Sequence, residues 1–538
     1  MSRQKLSRRE MLERSMFATA AAIAAGHVIE PVAHAQESSA PSNTIRVAIT
    51  GVNGRGGSHI SELKKRKGAE IAAIIDVDEA VGQRNCDALE KELGKRPAFF
   101  TDIRKCLEDK SIDAVSVATP NHWHSLAAIW SMQAGKDVYV EKPVSHNVSE
   151  GRRCVQVARK HKKICQTGTQ SRSEQGMRDA IAFIHAGGIG EVKLARGLCY
   201  KRRGSIGPRG TYEPPKTVDY DIWSGPAPLK PVTRPKFHYD WHWQWDYGNG
   251  DLGNQGIHQM DIARWGLQVS DIGEGVLSYG GRFGYEDAGE TANTQVCIHK
   301  YGDKRLVFEV RGLPTPNYKG AKILETEENM GAGVGVIFYG TEGYVIMPSY
   351  SSGIVFDKDG KVVKQFKGGG DHFGNFLAAC RSRKHEDLNA DILEGHLSSA
   401  LCHLGNISYR LGEQMPVAAI KDRLANDVEA LGTFTRFSEH LAENKVDIAD
   451  TKAYFGLDLT LDGKKEIFTG SHADAANPML TREYRKPFVV PPTMPVNVIA
   501  PLPVLIVSAC ALFSVLTKVT ALSVVVSVVP APRVTASL

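Results

Sequence analysis

Paired cysteines are the first thing this sequence does without. Nine are scattered along it, Cys86, Cys106, Cys154, Cys165, Cys199, Cys297, Cys380, Cys402 and Cys510. The total is odd and no two stand at C-x-x-C spacing, so they read as small buried hydrophobes, not as a disulfide frame or a zinc site. No G-x-S-x-G elbow and no H-E-x-x-H helix occurs, which removes the best-known serine-hydrolase and zinc-peptidase designs. His122, His124, His238, His242 and His258 stand at no ligand spacing, and no metal is expected. Charge of one sign is also scarce: 66 basic against 60 acidic residues leave a formal +6 over 538 residues. Without a basic stripe carrying interleaved rings, nucleic acid is not an expected partner, and the run Lys64-Lys65-Arg66-Lys67 reads as a solvated helix end.

What is present is ordinary globular composition, 42% hydrophobic and 23% charged, with length enough for two or three cores. Ser7-Arg8-Arg9-Glu10-Met11-Leu12 supplies a twin-arginine signal, residues 16–26 a short apolar stretch, and Ala33-His34-Ala35 a small-residue cleavage site. Residues 1–35 are therefore expected to address the chain to the twin-arginine export machinery, with Gln36 as the first mature residue and the periplasm, or another space outside the cytoplasm, as destination. That route carries folded cargo, so a cofactor acquired in the cytoplasm is expected to travel with the protein.

From residue 43 to 166, apolar β-branched runs alternate with segments of helical period, the pattern of a parallel α/β sheet. Strands are expected at 45–50, 70–75, 98–100, 114–118, 137–140 and 164–166, and helices at 58–65, 79–93, 123–134 and 149–161. Beyond 173 the rhythm changes. A helix to about 186 and a strand at 192–200 precede a long Pro/Gly/aromatic excursion at 201–250, then a helix at 256–267. Strands follow at 275–283, 294–299, 305–311, 335–339 and 344–347; with the Asp359-Gly360 turn they suggest a large, mostly antiparallel open sheet. Helical pattern returns at 373–383, 393–411 and 428–444. The expected organisation is a doubly wound dinucleotide-binding domain (43–166), a substrate-binding and oligomerising α/β domain (167–489) and an apolar tail (490–538). The tail's core, 498–529, is long enough for a membrane span, but Pro501, Pro503 and Lys518 interrupt it, and an extension without fixed structure is preferred over an anchor.

The strand at 45–50 runs into Gly51-Val52-Asn53-Gly54-Arg55-Gly56-Gly57 and then a helix. Glycines there permit a tight turn and close approach of a pyrophosphate to a helix N-terminus. Asn53 replaces the middle glycine of G-x-G-x-x-G, a place where Asn is better tolerated than most residues. Asp76 closes the second strand, where a carboxylate can accept from adenosine ribose hydroxyls. It favours NAD, and NADP stays possible if Arg55 relieves the repulsion of a 2'-phosphate. Two further clusters, Thr119-Pro120-Asn121-His122-Trp123-His124 and Glu141-Lys142-Pro143, follow strands on the same carboxyl edge. A lysine there can donate to a substrate oxygen or, with lowered pKa, take its proton; Lys142-Pro143 is a candidate cis peptide.

With Gly250-Asp251-Leu252-Gly253-Asn254-Gln255-Gly256-Ile257-His258-Gln259-Met260-Asp261, these motifs make the chain resemble the Gfo/Idh/MocA oxidoreductases over residues 43–444, and within them the twin-arginine-exported type. The resemblance implies a Rossmann domain plus an α/β domain with an open sheet, assembled as a homo-dimer or homo-tetramer. It also implies Lys142 as catalytic lysine, Glu141 and Asn121 on the nicotinamide ribose, His124 in the same cofactor-facing turn, and His258 as catalytic histidine. Four residues before His258, relatives often carry Asp. Asn254 stands here, and an amide positions a hydroxyl but does not titrate. Asp261, three residues after His258 on the expected helix, is placed to fix the imidazole tautomer.

The aromatic stretch 238–247 is rich in rings that bind the C–H faces of sugars, and Trp243, Trp245, Asp246 and Tyr247 are the expected substrate contacts. The leading expectation is a sugar or polyol dehydrogenase using tightly bound nicotinamide. One alternative is redox-neutral glycoside cleavage or epimerisation through a transient keto-sugar, and a second is a non-catalytic exported sugar-binding protein.

Overall fold

The computed structural model describes residues 44–315 and 332–492. The expected twin-arginine signal of residues 1–35, the apolar stretch 498–529 and Cys510 lie outside the described residues.

Six short strands, β1 (Ile45–Thr50), β2 (Ala69–Ile75), β3 (Ala98–Phe100), β4 (Ala114–Val117), β5 (Asp137–Val140) and β6 (Cys165–Thr167), form a sheet in the order β3-β2-β1-β4-β5-β6. Every pairing in it is parallel. Strands buried on both faces read as continuous apolar runs, which is why β1, β2, β4 and β5 were legible to within a residue or two; β3 is an edge strand whose residues are exposed or half-buried. The connecting helices are α1 (Arg55–Leu63), α2 (Glu79–Leu93), α3 (Ile103–Glu108), α4 (Asn121–Gln133) and α5 (Val148–Lys160). Asp78, Asp102 and Asn147 cap α2, α3 and α5 by accepting from first-turn amides, and α2 stops at Gly94 in the left-handed region (φ 71°). The strand order reverses between β1 and β4, so a crevice opens at the carboxyl ends of those two strands.

After α6 (Gln175–His185), β7 (Val192–Cys199), the short α7 (Tyr220–Ser224) and α8 (Ile257–Gly266), the chain builds β8 (Gly275–Gly281), β9 (Thr294–Tyr301), β10 (Lys304–Arg311), β11 (Val334–Gly340), β12 (Gly343–Met347), β13 (Ser352–Asp357) and β14 (Val362–Lys367). Then come α9 (His372–Ser382), α10 (Ile392–Arg410), β15 (Glu413–Pro416), α11 (Ile420–Arg423), α12 (Val428–Glu443), β16 (Lys452–Phe455), β17 (Leu459–Asp462) and β18 (Ile467–Thr469). The main path of this second sheet is β14-β13-β12-β11-β7-β10-β9-β8-β16-β15. Among the described strands only β7 and β10 pair parallel in it. One face packs on α8 and α10 through residues such as Met260, Phe308 and Leu404. The other is roofed over β8–β10 by α12, whose Phe434, Phe437 and Leu441 meet Tyr279, Val296 and Val307.

The first sheet does not finish its own core. Phe373, Phe376 and Leu377 of α9 fill the space against Ile45, Val47 and Ile74, while Ile392, Phe488 and Val490 join Trp123 and Ile129 on the opposite face. Residue 166 thus marks the end of the expected strand run, not the end of the unit that buries it. Emptying one such position, as in Phe376→Ala, costs about 3–5 kcal/mol.

Candidate active site

The glycine loop sits where β1 ends. Gly51 has φ +81°, and a Cβ on it would stand 2.8 Å from the Ala118 carbonyl; one on Gly56 would stand 2.2 Å from the Gly51 oxygen. These two positions therefore accept only glycine. A Cβ on Gly54 would meet nothing within 4 Å, and with exposed Asn53 beside it this leaves open space at the N-terminus of α1, where amide groups and the helix dipole favour an anion. Asp76 accepts the Val52 amide at 2.8 Å and the Asp78 amide at 3.0 Å. Its burial raises the carboxyl pKa, against which the two amides pull. A cleft of about 370 Å³ runs from this loop past Asp76, Thr119, Pro120 and Asn121 to Lys142 and Asn254. The Thr119 hydroxyl is buried in its wall without a partner. Open space over Gly54, an orphan hydroxyl and a carboxylate at the second strand end fit a dinucleotide laid across the switch point.

Glu141 is the electrostatic hub. Its Oε1 meets Arg55 Nε at 2.8 Å and His59 Nε2 at 3.0 Å, and its Oε2 accepts the Lys142 amide at 3.2 Å. Burial opposes its charge, yet the Arg55 guanidinium and the His59 hydrogen bond prevail and hold the carboxyl well below its usual range. Arg55 is consequently committed to Glu141, which corrects the expectation that it stands ready beside Asp76 for a 2'-phosphate. Asn121 spends its amide on Asn249 Oδ1 at 3.3 Å. His124 is clamped between the Pro143 and Thr119 carbonyls, at 2.6 and 2.7 Å, and so fixes the turn in front of the cleft. Lys142-Pro143 is cis, as its position suggested.

Lys142 crosses from the first sheet to the second domain, its Nζ donating to the Asn254 carbonyl at 2.5 Å. That carbonyl belongs to a single π-helical turn, Leu252–Gly256, leading into α8, an irregularity that re-aims backbone groups at functional sites. Burial lowers the Lys142 pKa; Glu141 opposes the shift and Arg55 adds to it. Asn254 serves through its backbone, while its side-chain amide stretches 3.5 Å to Asp251, itself paired with Arg203. His258 is buried, with its ring centroid 4.8 Å from that of Tyr350. Burial, then the charge of Lys142, pushes its pKa well down, so it is a neutral imidazole. Asp261 does not orient it. Its carboxylate accepts from Arg172 Nε at 2.9 Å and Ser398 Oγ at 2.7 Å, so helix spacing gave the side of the helix but not the partner.

The aromatic stretch divides differently from the expectation. Trp243 and Tyr247 are core residues, the first under the Arg203 guanidinium at 5.0 Å and the second against Trp223 at 4.7 Å. Trp245 and Asp246 line a separate cavity. His238, Tyr239, Trp241 and His242 form the cleft wall instead, with Trp241 stacked on His242 at 3.6 Å and Tyr239 at φ +69°. The cause is a 3-10 turn, Asp240–Trp243, which sends neighbouring rings to opposite sides. Aromatic density in the sequence carries no sign of that alternation. Among the described residues no group of three or more His, Cys, Asp or Glu is arranged to hold a metal ion, and no described helix is long and apolar enough to cross a membrane.

Comparison with known proteins adds four findings. Residues 45–169 match the Gfo/Idh/MocA model described as oxidoreductase family, NAD-binding Rossmann fold, and residues 208–273 match the family's C-terminal α/β domain. A glycosyl hydrolase family 109 protein of Shewanella baltica is 35% identical over 127 residues, 23% of this chain and 28% of that relative. An alpha-N-acetylgalactosaminidase of Shewanella oneidensis is 34% identical over 125 residues, 22% of this chain and 27% of its own. These matches therefore span little more than a quarter of those relatives. In fold, the chain is similar to the WlbA dehydrogenase of Chromobacterium violaceum, solved with NADH and UDP-GlcNAcA, at 18% identity and TM-score 0.51 over 71% of this chain and 96% of that one.

Proposed function

We propose that the protein oxidises a carbinol carbon of a sugar-like substrate, with Lys142 managing the proton; the premise is that residues 45–169 and 208–273 match the Gfo/Idh/MocA oxidoreductase models, the first of them the NAD-binding one. The observation that carries this is the half-buried Lys142 amino group at the end of the nucleotide cleft, held by the Asn254 carbonyl. NAD, when bound, supplies a hydride acceptor. The chain supplies the rest. The Gly51–Gly57 loop and Asp76 would hold the dinucleotide, Glu141 and Arg55 fix the floor, and Lys142, in the neutral amine form that its lowered pKa favours, takes the hydroxyl proton and becomes the ammonium as the C–H bond is lost. Neutral His258 is suited to accept or relay that proton, and Trp241 with Tyr239 offers ring faces to the sugar.

A second reading shares the first step. Relatives named glycosidases favour a cycle in which the oxidised sugar loses or inverts a substituent and the hydride returns, without net redox change. Incubation with a panel of glycosides, following nicotinamide absorbance and product masses together, separates the two. Net reduction supports the dehydrogenase, free aglycone or epimer without net reduction supports the second, and binding without turnover sinks both. Export is a further part of the proposal, resting on Arg8 and Arg9. Replacing both with Lys is expected to leave the protein in the cytoplasm, and unchanged export removes this part alone.

A further inference from the structure

On the far side of the loop that carries Asn249 lies a second cavity, of about 360 Å³, walled by His146, Trp245, Asn249, His403, Arg410 and Arg482. Its cationic groups are Arg410 and Arg482, with His146 and His403 beside them. Arg482 Nη1 donates to the Asp246 carbonyl at 3.0 Å and to His146 Nδ1 at 3.1 Å. His146 accepts there, so its proton sits on Nε2, which is buried without a partner. His403 Nε2 meets Ser145 Oγ at 3.0 Å, leaving Nδ1 buried and likewise unpartnered. The Arg410 guanidinium lies over the Trp245 ring at 4.9 Å. No ion pair holds it or Arg482 among the described residues, and Arg410 makes no hydrogen bond there either.

The acids nearby are spent or peripheral. Asp246 is tied to Lys230 at 2.8 Å. Glu150 accepts the His146 amide at 2.8 Å and the Asn147 side chain at 2.9 Å. Glu483 is exposed at the rim. Two guanidiniums without carboxylate partners lining one space, with the His146 Nε2–H in the same wall, are chemistry that matches a planar or tetrahedral oxyanion. Arg410 reaches solvent at the mouth of the cavity; partial burial lowers its pKa, the charges of Asp246 and Glu290 oppose that shift, and Arg482 adds to it.

We propose that this cavity is a binding site for a small oxyanion, a carboxylate or a phosphoryl group, separate from the nucleotide cleft. Asn249 links the two, since its Oδ1 accepts from Asn121 of the cleft and its Nδ2 donates to the His146 carbonyl. The test is calorimetric titration of the full, NAD-loaded chain with inorganic phosphate and, separately, with glucuronate. Saturable binding of either is expected, phosphate alone identifying a phosphoryl ligand and glucuronate alone an acidic sugar. Arg410→Gln, which breaks no hydrogen bond, is expected to weaken binding at least about tenfold, or roughly 1.4 kcal/mol. Arg482→Gln should do the same, with circular dichroism and NAD content checking its fold. Lys142→Met should leave the anion affinity unchanged, which separates this site from the cleft. Absence of saturable binding with both probes, or equal affinity in wild type and Arg410→Gln, overturns the proposal.

Discussion

The two cavities are almost the same size, about 370 and 360 Å³, yet they treat charge in opposite ways. In the nucleotide cleft each cation has a partner: Arg55 is held by Glu141 and Lys142 by a carbonyl. In the second cavity the guanidiniums of Arg410 and Arg482 stand without carboxylates, and two imidazoles keep a nitrogen unfilled. Volume alone therefore says nothing about use. A cleft whose side-chain charges are internally balanced leaves a pyrophosphate to backbone amides and the helix dipole and is prepared for a proton in transit, whereas an unbalanced cavity is prepared for a counter-charge.

The strongest way to break this contrast is to remove the one cation the chemistry needs. Lys142→Met is expected to lower turnover by about 10²–10⁴ while NAD remains bound, measured by single-turnover kinetics beside the nucleotide released on denaturation. Near-normal turnover with NAD in place would strike out the assignment. Gly56→Ala attacks the cleft through its backbone. The new Cβ would collide with the Gly51 oxygen at 2.2 Å, so a loss of about 1–3 kcal/mol in stability and a fall in bound NAD are expected by thermal melting and nucleotide assay. Trp241→Ala removes a ring face from the cleft wall and should raise KM by several-fold, for about 0.5–1.5 kcal/mol, with kcat little changed; an unaltered KM would return Trp241 to packing alone.

A separate effect concerns acid. Burial pushes His403 in the second cavity down to about 3, as it does His122 beside the cleft. The unfolded chain protonates these rings first, so stability is intact above about pH 6.5 and is lost as pH falls from there toward 3. Between pH 6.5 and 4.5 His403→Gln, which still reaches Ser145 and does not titrate, should flatten the decline of Tm. A slope equal to wild type would mean that the ring is already charged.

The parallel sheet was readable because its central strands β1, β2, β4 and β5 are mostly buried apolar runs, and the cleft because many of its residues follow strand ends in sequence. Local pattern fails where partners come from elsewhere. Arg172, which takes Asp261 away from His258, lies 89 positions upstream. Helix α3 has six residues and β15–β18 three or four each, too short for a periodicity to register. The aromatic stretch does border the cleft, but through His238, Tyr239, Trp241 and His242 instead of the rings named from the sequence, since a 3-10 turn decides which ring faces which cavity.

Phe376 and Phe488, set into the first sheet from far down the chain, impose a timetable on the molecule. The six strands leave the ribosome early, but the side chains that close their two faces are translated up to some 320 residues later, a delay of roughly 15–60 s at ordinary synthesis rates. During that interval Ile45, Val47 and Trp123 are without their lids. The nucleotide-binding half is thus made first and finished last, and a nascent chain of this protein spends most of its synthesis as a client for whatever shields apolar surface in the cell.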